Sequence, residues 1–178
     1  MSRALVPIIG RSSSGKSTLV EELSNRGYQT IKEVAREVLE ERKHILETVA
    51  ENYTRQKIIF ERQINLENSV SGLAFLDRSL IDGLGYADYF GIELDFVNKN
   101  ILKSRYSVVL ELEKRPFLQD GLRIEKDERQ VDEIYSRVKD NYSSLEYDFI
   151  FIPNFCSERI FNAKQRADFI LETLGDKI

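Results

Sequence analysis

The chain has 178 residues, 42% of them apolar and 31% charged, which suits one domain over residues 1–178 with a sizeable buried core. Its net charge of −4 argues against a general nucleic-acid binder, and no apolar stretch approaches the length of a membrane span. A single cysteine, Cys156, precludes an internal disulfide, and together with the single His44 it is too little for a zinc-type ligand set. No signal-peptide pattern follows Met1, so a cytoplasmic location is expected.

The first predicted strand covers residues 4–9. Leu5-Val6-Pro7-Ile8-Ile9 is a short apolar run of the kind buried in a parallel sheet, although Pro7 is ill-suited to a central strand. Gly10-Arg11-Ser12-Ser13-Ser14-Gly15-Lys16-Ser17-Thr18 follows directly and fits the phosphate-loop pattern G-x-x-x-x-G-K-[ST]. The glycines let the backbone wrap an anion so that successive N–H groups point at phosphate oxygens. Lys16 offers a point charge to the β- and γ-phosphates, and Ser17 a hydroxyl to Mg²⁺. Leu19, Val20 and Leu23 then recur at helical spacing, and Gly27 ends the run. The order strand, glycine loop, helix is what such a site needs, because the helix N-terminus adds a favourable field for anions.

A second short strand is expected at 28–31, and a helix from Glu33, with Asn52 as the expected cap of a longer one. Leu73-Ala74-Phe75-Leu76 predicts the third strand, ending at Asp77. Helices at 80–89 and 94–103, a strand at 106–112 and a charged loop at 113–127 come next. Val131, Ile134, Tyr135, Val138, Tyr142 and Leu145 form an amphipathic helical stripe. A fifth strand at 148–152 stops at Pro153, and a last helix spans 157–174. Alternating strands and helices imply an α/β fold of the P-loop NTPase kind. Its five-stranded parallel sheet is flanked by helices in three layers, as in nucleoside kinases. Ligands bind such sheets at the carboxyl ends of the strands.

Asp77, closing an apolar strand, stands where a carboxylate would hold Mg²⁺ directly or through water. Its bland alternative is a helix-capping acid, for which Ser79 is the better candidate. The following residue is Arg78, not the glutamate that activates water in many motor ATPases. A cation here favours transfer of a phosphoryl group to a bound acceptor. Glu33 is placed to accept the proton of an attacking hydroxyl, and Arg36, three residues on, to grip the acceptor; a solvent-exposed Glu33–Arg36 pair is the rival. Arg123 and Arg129, in or beside the charged loop, are candidates to close over the transferring phosphate, with a merely solvated loop as the rival. Residues 154–159, after the last strand, occupy the position where an adenine ring would lie.

The sequence resembles the AAA_28-type P-loop domains related to the nicotinamide riboside kinase domain of the bifunctional bacterial NadR protein. The resemblance rests on four stretches of the chain: residues 10–18, Glu33-Val34-Ala35-Arg36-Glu37, residues 76–83 with 86–91, and Pro116-Phe117-Leu118-Gln119-Asp120-Gly121-Leu122-Arg123. It implies binding of ATP, or GTP, with Mg²⁺ on a kinase-like fold. Some relatives resemble nucleoside kinases and others are regarded only as nucleotide-binding proteins.

Two readings follow. The first is a small-molecule kinase moving the γ-phosphoryl of ATP to a hydroxyl of a nucleoside-like acceptor. In it Lys16, Glu33, Asp77 and Arg123 are catalytic, residues Gly10 to Thr18 bind nucleotide, Ser17 and Asp77 bind the metal, and Glu33, Arg36, Arg78, Arg123 and Arg129 meet the acceptor. The second is a nucleotide-binding regulatory module or slow NTPase. A GTPase-type switch finds little support, since Asn98-Lys99-Asn100-Ile101 lacks the aspartate of N-K-x-D. The expected partners are the nucleotide and a small-molecule acceptor, with a homodimer left open.

Overall fold

Five strands form one parallel sheet in the order β2-β3-β1-β4-β5, where β1 is Ala4–Ile9, β2 Gln29–Ile31, β3 Leu73–Asp77, β4 Val109–Leu112 and β5 Phe149–Ile152. The computed structural model describes residues 3–41, 49–119 and 124–175. The helices are α1 (Lys16–Asn25), α2 (Val34–Glu41), α3 (Val49–Ser69), α4 (Leu80–Phe90), α5 (Glu128–Ser144) and α6 (Arg159–Leu174). Among the described residues, no helix is long and apolar enough to cross a membrane.

The period-2 alternation of the strands sorts side chains into two cores. Leu5, Ile9, Ala74, Leu76 and Val109 face a cluster shared with α2, α3, α4 and α5. Val6, Ile8, Phe75, Leu110 and Leu112 face the other side, against Leu19, Val20 and Leu23 of α1 and Ala167, Ile170 and Leu174 of α6. Burying each such aliphatic side chain contributes about 1.5–3 kcal/mol. Pro7 is accommodated in the central strand because the pairing with β4 begins one residue later, at Ile8 opposite Leu110.

The α4–α5 packing is close. A Cβ at Gly85 would lie 2.6 Å from the Val138 backbone nitrogen, so only glycine lets the two helices approach this far. The same contact brings the Tyr142 hydroxyl to the start of α4. There it lies 2.7 Å from the Ser79 hydroxyl and donates to Asp82 at 2.9 Å. Ser79 and Asp82 close a reciprocal capping box, worth about 1 kcal/mol, which fixes how the chain leaves β3.

Three sequence expectations need correction. Asn52 lies inside α3, which starts at Val49, and it accepts a hydrogen bond from Arg55 instead of capping a helix. Residues 94–103 hold only one 3₁₀ turn, Lys99–Ile101. The fourth strand begins at Val109, not at Tyr106, whose backbone N–H donates to the Tyr147 hydroxyl instead of to a strand. The expected positions of His44 and of Asp120, Gly121, Leu122 and Arg123 lie outside the described residues.

Candidate active site

The phosphate loop joins β1 to α1, at the carboxyl end of the sheet's central strand. Gly15 precedes α1 in a left-handed conformation, φ 94°, that an L side chain rarely adopts. Lys16 is buried, and its Nζ donates to the carbonyls of Gly10 and Arg11 at 3.0 Å each. Burial and then the nearby Arg78 lower the Lys16 pKa to about 8, against the pull of Asp77, Glu33 and Asp82. Its charge would move from these carbonyls to phosphate oxygens at little cost.

The three serines of the loop divide their work. Ser12 Oγ donates to the Glu125 carboxylate at 2.5 Å, and Ser13 Oγ accepts from the Leu118 N–H at 2.9 Å. Ser14 Oγ is buried and has no hydrogen-bond partner among the described residues. The segment after β4 therefore rests on the phosphate loop through two hydroxyls. Arg11 directs its side chain to Asp132 at 2.7 Å, while its carbonyl accepts from Lys16.

Asp77 ends β3 and is 2% exposed. Burial, helped by the Glu33 carboxylate, raises its pKa to about 6, against Lys16 and a hydrogen bond from the Ser17 hydroxyl. Its Oδ1 has no hydrogen-bond partner among the described residues although it is buried. An orphaned carboxylate oxygen beside a serine hydroxyl fits a Mg²⁺ ion, which takes one or two protein oxygens and fills its shell with water and phosphate. The described residues contain no group of three or more His, Cys, Asp or Glu side chains that would make an all-protein cage. The capping alternative for Asp77 is excluded, because Ser79 caps α4.

Arg78 adopts φ 72°, a strained value for a non-glycine residue, and such strain concentrates at functional sites. Its guanidinium is 12% exposed and reaches Glu33 at 2.7 Å, Asp82 at 3.6 Å and the Tyr86 ring at 5.2 Å. Burial opposes the charge of Glu33, but Arg78 and Lys16 outweigh it and hold the carboxyl below its ordinary range. Glu125, which also accepts from the Tyr86 hydroxyl at 2.7 Å, is likewise held low, Arg78 and Ser12 overcoming its burial. Two ionised carboxylates thus flank one buried guanidinium next to the phosphate loop.

These groups form one end of a pocket of about 290 Å³. Its walls are the start of α2, the face of α3 carrying Asn52, Arg55, Gln56 and Phe60, and Tyr86 and Phe90 of α4. A cleft of this size, with charged and amide side chains set among Val34, Leu39, Ile59, Phe60, Tyr86 and Phe90, suits a small organic ligand that carries polar groups. Arg36 lines the pocket and pairs with Glu40 at 3.5 Å, while Glu33, the other half of the rival surface pair, is bound by Arg78.

Arg129 is the one described candidate that stands apart. Its side chain is 88% exposed and pairs with Glu133, one helical turn on, at 2.9 Å. An i,i+4 partner on the outer face of α5 satisfies it where it stands. Arg123 lies outside the described residues. The sequence reading missed Asp82, Tyr86 and Glu125. Asp82 had a signal, its i,i+4 spacing from Arg78; Glu125 had none, because only the fold brings it to Ser12.

The sequence profile of the AAA_28 family, an AAA domain, matches residues 5–159. No curated protein matches the chain. Among solved structures, NadR protein in complex with NR aligns with a TM-score of 0.70 at 19% identity, over 98% of this chain and 52% of that one. NadR in complex with NAD and AMP-PNP gives 0.69 at 19% identity, over 98% and 50%. The chain therefore spans about half the length of the NadR chains it matches. Deoxyadenosine kinase from M. mycoides, with products dCMP and a flexible dCDP bound, gives 0.57 at 15% identity, over 97% and 98%. At these identities the likeness is one of fold, that of P-loop kinases. Its phosphate loop, its parallel sheet and the profile match over residues 5–159 together show that the chain belongs to the AAA_28 family of AAA domains.

Proposed function

We propose that the protein is a small-molecule kinase that transfers the γ-phosphoryl group of ATP to a hydroxyl of a nucleoside-like acceptor. One observation carries this reading. The Glu33–Arg78 pair, 2.7 Å apart, lines a pocket whose wall also includes Ser12 of the phosphate loop and Asp77. A water-activating ATPase has no need of such a pocket. The deoxyadenosine kinase and the AMP-PNP complex of NadR, similar in fold, support an adenine nucleotide and a nucleoside-like acceptor. GTP is the donor to test against ATP, and the cytoplasm is the compartment this chemistry implies.

The acceptor hydroxyl sits beside Glu33. Its oxygen attacks the γ-phosphorus while the bond to the β–γ bridging oxygen breaks, ADP leaves with that oxygen, and the hydroxyl proton passes to the Glu33 carboxylate. The loose transition state makes the hydroxyl acidic only late, so a carboxylate held ionised by Arg78 is basic enough. Lys16 and Arg78 offset negative charge on the phosphoryl oxygens. Arg123 is assigned the same task from the segment after β4, and Arg36 contacts the acceptor. Mg²⁺, held by Ser17 and Asp77 when the nucleotide binds, would neutralise phosphate charge.

Incubation with γ-labelled ATP and a panel of ribosides should yield a labelled acceptor. Glu33→Gln should slow that transfer by about 10²–10⁴-fold with the ATP KM little changed. Undiminished phosphorylation of a proven acceptor by Glu33→Gln would remove Glu33 from this role.

A further inference from the structure

Arg166 is the largest side chain buried almost completely in this protein, at 1% exposure, and the chemistry above does not use it. It lies on α6, beyond the residues that the family profile matches. Its guanidinium makes four hydrogen bonds to three separate chain segments. Nη1 donates to the Ser14 carbonyl of the phosphate loop at 2.7 Å. Nη2 donates to the Glu113 carbonyl, just past β4, at 3.2 Å and to Asn154 Oδ1, just past β5, at 3.0 Å. Nε donates to the Pro153 carbonyl at 3.0 Å.

All four acceptors are neutral, and among the described residues no carboxylate lies within ion-pair distance of Arg166. A buried charge left without an ionic partner is costly, and a chain normally avoids it unless the charge has work to do. Burial and then Arg115 lower the Arg166 pKa to about 10 against the pull of the Glu113 carboxylate, which makes no direct ion pair with it, so the group stays charged at neutral pH. Arg166 thus places a positive charge directly behind a loop whose other side wraps an anion.

The tie extends to the neighbouring strand end. Asn154 Oδ1 also accepts from Asn162 Nδ2 at 3.2 Å, and Asn162 Oδ1 accepts from the Phe155 N–H at 2.8 Å. The Glu113 carboxylate accepts from the Asn154 N–H at 2.6 Å. One planar fork therefore sets the phosphate loop against the turn after β5, where the sequence puts the nucleotide base. Lysine, with three donors on one nitrogen and no planar fork, cannot reproduce all four bonds across the three segments.

We propose that Arg166 is a positioning residue for a nucleoside triphosphate, registering the phosphate loop with the β4 and β5 ends and supplying a positive charge behind the phosphates. The proposal rests on the kinase reading for nucleotide binding only, not for the acceptor.

The test measures dissociation constants of Mg·ATP and of Mg·tripolyphosphate for the full chain and two variants, with thermal melting as a fold check. Arg166→Gln removes the charge and should weaken both ligands by about tenfold or more. Arg166→Lys keeps the charge but not the fork. It should bind tripolyphosphate within about threefold of wild type yet bind ATP at least about fivefold more weakly. Wild-type affinity for ATP in Arg166→Lys overturns the proposal, and so does wild-type affinity in a folded Arg166→Gln. Should Arg166→Gln fail to fold, the Arg166→Lys pair of affinities decides alone. A wild-type chain that binds no nucleotide would instead refute the kinase reading, which keeps the two failures apart.

Discussion

The two ends of the site are built differently. At the nucleotide end the groups that matter are consecutive in the chain, and backbone geometry positions them: Gly10 to Thr18, then Asp77 one strand away. At the proposed acceptor end they are scattered over α2, α3, α4 and the segment after β4, and side-chain pairing positions them. Glu33 is fixed by Arg78, Arg78 by its strained backbone, and Glu125 by Ser12 and Tyr86. A backbone cradle binds the phosphates common to every nucleotide. A pocket of side chains can be rewritten without touching it, so the two ends are expected to respond to mutation differently.

Lys16→Ala should have the largest effect, because it strikes the cradle. Turnover should fall by about 10³-fold or more and nucleotide affinity should weaken, while the melting temperature holds. A loss of affinity for the acceptor alone would break the division between the two ends. Glu33→Gln should come next, lowering kcat while sparing nucleotide binding, which marks the acceptor end as separate.

Asp77→Asn sharpens the division through pH. The folded chain holds the Asp77 proton up to about pH 6, against an ordinary value of 3.8. A raised folded pKa lends stability that is complete below the unfolded value and is lost as pH rises through the folded one. Asparagine cannot ionise and escapes that loss. Thermal melts without nucleotide should show Asp77→Asn more stable than wild type at pH 7.5, by on the order of 2 kcal/mol, with the gap closing towards pH 4. Mg²⁺-dependent turnover should nevertheless collapse. Equal melts at both pH values would show that Asp77 does not carry this buried charge. The smallest effect belongs to Arg129→Ala. An 88% exposed side chain paired on its own helix should change kcat/KM by less than about twofold.

The same contrast governs what could be read from the amino-acid sequence. The phosphate loop, the parallel sheet and Asp77 were legible because each is a local pattern: a spaced glycine motif, or a short apolar run ending in an acid. The i,i+3 spacing of Glu33 and Arg36 suggested one shared face, with a surface ion pair as its rival, but nothing local pointed to Arg78, 45 residues on, as the partner of Glu33. Arg129 misled because a charge beside a loop looks the same whether it faces a ligand or the solvent. Glu125 and Arg166 carried no local signal, since their partners lie 113 and 152 residues away in sequence. The missing helix at 94–103 and the late start of β4 share one cause: Leu94, Phe96, Val97, Leu102 and Tyr106 all join one core cluster, but at spacings that sustain neither a helical nor a strand period.

The central claim is that the pocket beside Glu33 holds a hydroxyl that receives phosphate. Its most direct test is ADP release by the wild-type chain across ribosides and other small alcohols, each set against a control without acceptor. The account predicts release that depends on one class of acceptor, yields its phosphate ester in equal amount, and is lost in Glu33→Gln. ADP release that ignores every acceptor and survives Glu33→Gln would contradict it, and would make the protein a nucleotide hydrolase instead.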